Sequence, residues 1–442
     1  MHRFFRYAVP LITAAVLYVA VMFLPGCGQQ DASAAVNETP PKTAAAPTTP
    51  SPQAAPSPTP LPPPDSAALL FAGDVITFGS QITNHKFGSS YDYTDDYKYI
   101  RDIVSAADIA AVNLETVLSG KPPYKGFPRF NTPDSIADAL GWAGFDVIAT
   151  ANNHSLDQGS EAMKRSSSYL RGLGFTVIGT AHTENEPKYA LVEAGGIKVG
   201  FVNFSNTTNR GYPGSAEPHL NCMKHTEGGY EAGYAAMSEE IAALRGMGAE
   251  FIVTFMHWGN QYKLKNTKEQ KEEAGRIADL GVDLIIGNHP HVLQNVAEYT
   301  SPVTGKNVLI YYSIGNFVSN QLYSQAVGGG HCETGMLAII KLLRGEDGTV
   351  SIDSAGFITT YTHKPDIKKI YTEDGETHTK KVRAFYIVPA ARAVMYPEEF
   401  EGAEGTLLKH IRKGMDNGSE IVGRSGAGLR LFDFSEFIDW PW

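Results

Sequence analysis

Between residues 67 and 286 short apolar runs alternate with stretches of helical pattern, and that alternation leaves few folds open. Residues 67–72 form an apolar run closed by Gly73-Asp74. Residues 109–112, 146–149 and 175–178 read as strands, with helical stretches at 135–142 and 161–170 between them. Two apolar runs flank Gly195-Gly196, a hairpin signal. A helix over 238–244 leads into a strand at 251–255. A second over 269–280, with Ala274, Ile277 and Ala278 on one face, leads into a strand at 282–286. Runs at 308–312 and 336–342 add strands, and the later ones at 357–360 and 382–388 have no helices between them. A mixed sheet or two stacked sheets, in an α/β domain, fits this order better than one all-parallel sheet.

The chain ahead of this domain has a different character. His2, Arg3 and Arg6 precede an apolar run over 8–24 that ends in Leu24-Pro25-Gly26-Cys27. This is an export signal (1–26) with a lipobox-like end, so Cys27 is expected to be lipidated; an uncleaved anchor helix is the other reading. Either reading places the rest of the chain outside the cytoplasm, tethered to a membrane. Residues 27–66 are rich in Ala, Pro and Thr and read as an extended tether. The domain is expected over 67–395, followed by a weakly patterned C-terminal extension over 396–442. A net charge of −10 argues against a broad nucleic-acid footprint, although bound metal could still attract an anionic substrate. The remaining cysteines, Cys222 and Cys332, are expected to form a bridge in an oxidising compartment, with two buried thiols as the alternative.

Residues with ligand chemistry recur just past the expected strand ends, where open α/β sheets place their sites. They are Asp74, Asn113 with Glu115, Asn152-Asn153-His154, His257, and His289-Pro290-His291. Singly, each has a plain reading. Asp74 can be a turn aspartate, Asn113 to Glu115 a helix-cap region, Asn153 and His154 a loop pair, and His257 a satisfied histidine. Together they would converge on one rim. Mixed oxygen and nitrogen donors suit Zn, Mn or Fe. A bridging carboxylate such as Glu115 could hold two ions about 3.5–4 Å apart, with His154 placed to protonate a leaving group.

These segments, with Asp157-Gln158-Gly159, His257-Trp258-Gly259, Val292-Leu293-Gln294 and Ser313-Ile314-Gly315-Asn316-Phe317, resemble the CapA-type capsule synthesis proteins, a poly-γ-glutamate-associated family related to calcineurin-like metallophosphatases. The resemblance spans about residues 69–343. It implies a four-layer sandwich of two mixed β-sheets flanked by helices. It implies that Asp74 and His291 hold one divalent ion, that Asn153, His257 and His289 hold the other, that Glu115 bridges them, and that His154 donates a proton. Asn113, Asp157 and Trp258 are expected behind the ligands or in the wall of the site, with a plain packing role equally open for Asp157 and Trp258. The partners implied are a phosphoester or anionic polymer substrate and a membrane-bound capsule synthesis complex. Function is then either metal-dependent hydrolysis or a non-catalytic accessory role. The chain departs from the metallophosphatase pattern at Ile76, where a histidine is usual, and from the CapA pattern at Gly79, where an arginine is common. His85 is expected to be a solvated loop histidine. The tyrosine-rich stretch 91–99 is expected to be an exposed loop, with a polymer groove as the alternative.

Overall fold

A computed structural model describes residues 65–211, 218–225, 227–321, 331–423 and 430–431. The export segment, Cys27 and nearly all of the tether lie outside the described residues, and among those described no helix is long and apolar enough to cross a membrane.

In chain order the main strands are β1 (Ser66–Val75), β2 (Ile109–Leu114), β3 (Val147–Ala149), β4 (Thr176–Ile178), β5 (Ala190–Ala194), β6 (Ile197–Ser205), β7 (Phe251–His257), β8 (Leu284–Asn288), β9 (Val296–Thr300), β10 (Asn307–Tyr311), β11 (Asn316–Val318), β12 (Thr334–Arg344), β13 (Val350–His363), β14 (Asp366–Glu373), β15 (Glu376–Arg383), β16 (Tyr386–Pro389) and β17 (Arg430–Leu431). The helices are α1 (Gly79–Asn84), α2 (Arg101–Ala106), α3 (Ser135–Ala143), α4 (Ser160–Gly172), α5 (Gly229–Gly246), α6 (Lys268–Asp279), α7 (Ala390–Met395) and α8 (Gly405–Gly423).

A nine-stranded sheet runs β16-β13-β12-β1-β2-β3-β4, with β11 added to β1 and β17 to β13. A six-stranded sheet runs β9-β10-β8-β7-β6-β5. Both are mixed: β1 to β4 are parallel, as are β6, β7, β8 and β10, while β12, β13 and β16 continue the first sheet antiparallel.

Alternation along the strands sets the layers. On β1, Leu69 and Phe71 face the second sheet and pack with Val253, Phe255, Leu284 and Ile286. Leu70 and Ala72 face the other way, onto Val104, Ile136 and Leu140 of the helices. Val202, Ile252 and Ile285 of the second sheet pack outward on Ile241 of α5 and Ile277 of α6. Strands buried on both faces therefore read as continuous apolar runs, and the result is the expected four-layer sandwich. Each fully buried Leu or Phe in these layers contributes about 1.5–3 kcal/mol.

Three expectations are corrected. Cys222 and Cys332 are buried thiols, not a cystine. Cys222 bridges in register to Ser205 at the end of β6, while Cys332 packs on Val292, so the two belong to separate neighbourhoods. His85 is buried, not solvated, and its Nε2 lies 2.8 Å from Asp96 Oδ1. The tyrosine-rich stretch is not an exposed loop: Tyr93 and Tyr97 are 1% and 0% exposed and join the helix-side core.

Candidate metal centre

The site forms where the carboxyl ends of β1, β2, β3, β7 and β8 meet. Asp74 sits near the end of β1 and Glu115 directly follows β2, its amide donating to the Val75 carbonyl at 3.0 Å. Asn153 and His154 lie in the loop after β3, His257 ends β7, and His289 and His291 follow β8. The backbones come close here because two glycines permit it: a Cβ on Gly73 would stand 1.9 Å from the Gly315 carbonyl, and one on Gly287 2.1 Å from that of Tyr312. His289 (φ 94°) and His291 (φ 58°) hold left-handed backbone conformations, as does Tyr262 (φ 64°), whose ring lies tilted against His291 with centroids 5.9 Å apart. Such conformations cost of order 1–3 kcal/mol each and concentrate at functional sites.

The side chains converge as two groups that share Glu115. Glu115, His257 and His289 offer donor atoms within 4.8 Å of one another, and so do Asp74, Glu115 and His291. In the first group His257 Nε2 lies 2.8 Å from Asn153 Oδ1, 3.0 Å from His289 Nδ1 and 3.5 Å from Glu115 Oε1. In the second, His291 Nδ1 lies 3.1 Å from Asp74 Oδ2, and its Nε2 is 3.9 Å from Glu115 Oε1. Asn113 stands between the groups, donating to Asp74 Oδ1 at 2.7 Å and lying 3.5 Å from His257 Nδ1.

Electrostatics favour cations at this point. Glu115 is fully buried, and neither of its carboxylate oxygens has a hydrogen-bond donor among the described residues. Burial, then the neighbouring Asp74 charge, pushes its carboxyl up to about 8. Burial holds His257 down to about 3 and His289 well below the usual histidine range, so both imidazoles keep ligating lone pairs. Burial would raise Asp74, but the His291 hydrogen bond and charge outweigh it and hold the carboxyl low. The Asp74 carboxylate held low, the donor-less oxygens of Glu115 and the ligating lone pairs of His257 and His289 fit divalent-metal binding.

His154 sits at the edge of the cluster. Its Nδ1 lies 2.7 Å from Asp157 Oδ2, and a carboxylate can only accept, so Nδ1 carries the proton and Nε2 points to Glu115 at 3.9 Å. The Phe130 amide also donates to Asp157 Oδ2 at 2.7 Å, which fixes the carboxylate in turn. Trp258 lies on the far side, in the core against α6, its indole N–H donating to the Tyr312 carbonyl at 2.9 Å. It braces the end of β7 and does not line the site.

Two contributors were not assigned from the sequence. Asn209, in the loop after β6, donates its amide N–H to His154 Nε2 at 3.2 Å and carried no sequence signal. Asn316 belongs to the Ser313-Ile314-Gly315-Asn316-Phe317 segment, to which the sequence assigns no role. It pairs in register with Asp74, and its amide nitrogen donates to the Cys332 carbonyl at 2.9 Å and to Gln321 Oε1 at 2.8 Å. A backbone carbonyl only accepts, so the amide orientation is fixed and Oδ1 faces His291 Nδ1 at 3.1 Å. His291 must then carry a proton on Nδ1, which leaves Nε2 as the ligating nitrogen; burial is outweighed by the Glu115 and Asp74 charges, which raise its pKa, so a metal there would displace the Nε2 proton. Asn316→Ala is expected to weaken metal affinity by about 10–100-fold, measured by titration calorimetry with Mn or Zn.

A four-layer α/β sandwich with a mixed carboxylate, amide and imidazole cluster at its strand ends defines the class. The chain belongs to the bacterial capsule synthesis protein PGA_cap family, which it matches over residues 68–321. It is 25% identical over 264 residues to the PGA biosynthesis protein CapA of Bacillus subtilis, covering 58% of this chain and 64% of that one. It is 24% identical over 278 residues to the capsule biosynthesis protein CapA of Bacillus anthracis, covering 61% of each. The chain thus spans less than two thirds of the length of these relatives. Among solved structures it is similar to the NAD nucleotidase of Haemophilus influenzae, at 11% identity and a TM-score of 0.40, over 83% of this chain and 64% of that one.

Proposed function

We propose that the chain is an exported, membrane-tethered, metal-dependent hydrolase that cleaves a phosphoester or an amide of an anionic capsule or cell-wall polymer, a poly-γ-glutamate-like chain among them. The observation that carries this reading is the placement of His154. Its Nε2 faces the shared Glu115 while Asp157 holds its other nitrogen, an arrangement that ligand binding alone would not require. Asp74 and His291 would hold one ion, Asn153, His257 and His289 the other, with Glu115 between them. Held there, such a pair would supply an activated water and positive charge at the scissile phosphoryl or carbonyl group. Asp157 supports the protonated imidazole, which gives its Nε2 proton to the leaving group. His289, the most open of the imidazoles, marks the side from which substrate enters. The basic start, apolar run and Cys27 of the export segment support the tether, and the names of the two Bacillus relatives support the polymer.

The second reading is a non-catalytic accessory to polymer synthesis or export, within a membrane-bound complex. Ile76, buried where metallophosphatases carry a ligand histidine, favours it. The two separate in one assay. The purified chain with Mn or Zn is expected to hydrolyse a phosphoester or γ-glutamyl amide, and EDTA to abolish the activity. No turnover on either bond type with metal bound would leave the accessory role.

A further inference from the structure

β14 and β15 form a two-stranded hairpin outside both large sheets, and its base stands at a cleft of about 500 Å³ beside α8. Lys364, Arg383 and His410 line this cleft with Tyr361 and Leu407, and Glu333 is the acid among the described lining residues. Only 11% of the Lys364 side chain is exposed. Its amine donates to the Gln321 carbonyl at 3.3 Å, and Glu333 Oε1 stays 3.9 Å away, beyond hydrogen-bond reach. Burial holds this amine down to about 8 against the Glu333 charge.

The positive charge continues along the hairpin. Alternation turns residues 366, 368 and 370 of β14, and 379, 381 and 383 of β15, to solvent. Across the strands Asp366 faces Arg383, an ion pair at 3.0 Å, and Lys368 faces Lys381. Like charges directly opposite destabilise a strand pair. Both lysines are exposed, and neither forms an ion pair among the described residues. Same-face neighbours stand roughly 7 Å apart along a strand, so cations recur at that interval from Lys381 to Arg383 and on toward Lys364. This happens on a chain of net charge −10, so the stripe is a local feature against an acidic background.

We propose that this stripe, from Lys368 and Lys381 past Arg383 into the Lys364 cleft, is a binding track for a linear polycarboxylate. The proposal rests on the polymer part of the function proposed above, not on hydrolysis. The amines call for an anionic chain, and the polymer of the proposed function makes that chain a polycarboxylate. No aromatic ring lies among residues 366, 368, 370, 379, 381 and 383 of the solvent face, so the stacking platform of single-stranded nucleic-acid sites is missing from it. The guanidinium of Arg383 is engaged by Asp366 through Nε and Nη2, so the stripe meets an anionic chain through point-charge amines. The cleft also shares a wall with the metal centre. Gln321, which accepts from Lys364, donates to the Tyr262 hydroxyl at 3.1 Å and holds Asn316, the partner of His291.

The test is fluorescence anisotropy with a labelled γ-linked glutamate oligomer on the full chain in detergent. Lys368→Glu with Lys381→Glu, and separately Lys364→Met, should each weaken binding by about tenfold or more, with metal content unchanged. Lys268→Glu, at an exposed position on α6, should change it by less than about twofold. Unaltered affinity in the hairpin double variant would overturn the track. So would a polyphosphate of matched charge that binds as tightly as the glutamate oligomer. Turnover is scored separately: a chain that binds the oligomer in this pattern without cleaving it retains the track and loses only the hydrolase reading.

Discussion

His154→Ala is expected to lower turnover by about 10²–10⁴-fold while leaving metal content unchanged, which is the range contributed by a positioned general acid. His154 contacts the cluster only at 3.9 Å from Glu115, too far to be one of its close donors, whereas Asp157 holds its ring from behind. Removing the ring therefore takes away a proton and not a ligand. Asp157→Asn should reproduce part of the loss. An amide in place of the carboxylate can present N–H to Nδ1 and shift the ring proton to Nε2, so the imidazolium loses its support. The measurement is kcat for each variant beside elemental analysis of the same preparation. Equal loss of metal and turnover in His154→Ala would make His154 a ligand and refute its role as acid.

The largest expected effect on stability lies away from the site. His85 Nδ1 is 2.7 Å from the Gln81 carbonyl, so it must donate, and Nε2 then meets Asp96 Oδ1 at 2.8 Å. A proton has to lie between those two atoms, carried by one partner or the other. The ring also stacks on Tyr93 with centroids 4.4 Å apart. Asp96→Ala leaves a buried imidazole without its partner and is expected to cost about 3–5 kcal/mol in chemical denaturation. His85→Leu together with Asp96→Leu should cost far less, because no polar group is then stranded.

The pair also has a pH signature. Burial pushes the Asp96 carboxyl above its ordinary 3.8. In His85 burial is outweighed by the Asp96 charge and hydrogen bond, so its pKa rises above the ordinary 6.5. Both shifts mean that the folded chain holds protons the unfolded chain releases. The contribution of His85 is fully present below pH 6.5 and is lost as pH rises through its folded value. Stability should fall across that window in the parent chain and fall less in the double-leucine variant.

Much of the sandwich was legible because its central strands are buried on both faces and so appear as unbroken apolar runs, each followed at once by its polar residue. Asp74, Glu115, His257 and His289 could be picked out for that reason alone. What was missed depends on contacts far away in sequence. The tyrosines of 91–99 looked exposed because Asp92, Asp95 and Asp96 interrupt them, yet Tyr93 and Tyr97 turn inward, and Asp96 is buried against His85. Residues 382–388 read as one strand, but β15 ends at Arg383 and β16 starts at Tyr386, in different sheets. α8 went unread because glycines interrupt it. Those glycines let it lie against the sheet: a Cβ on Gly414 would stand 2.7 Å from the Tyr361 ring, and one on Gly418 2.6 Å from Thr359. Asn316 was visible as part of a motif, but its hold on His291 appears only once β11 is seen to pair with β1 at Asp74.

The most direct test of the central claim is metal content per chain, measured by elemental analysis after reconstitution with Mn or Zn. The shared position of Glu115 between two donor groups leads to an expected value near two equivalents, from the pair that a bridging carboxylate holds. In His289→Ala the value should drop, because one group loses an imidazole. A chain that binds no metal after reconstitution would contradict the account and leave the cluster as a buried polar network without catalytic chemistry.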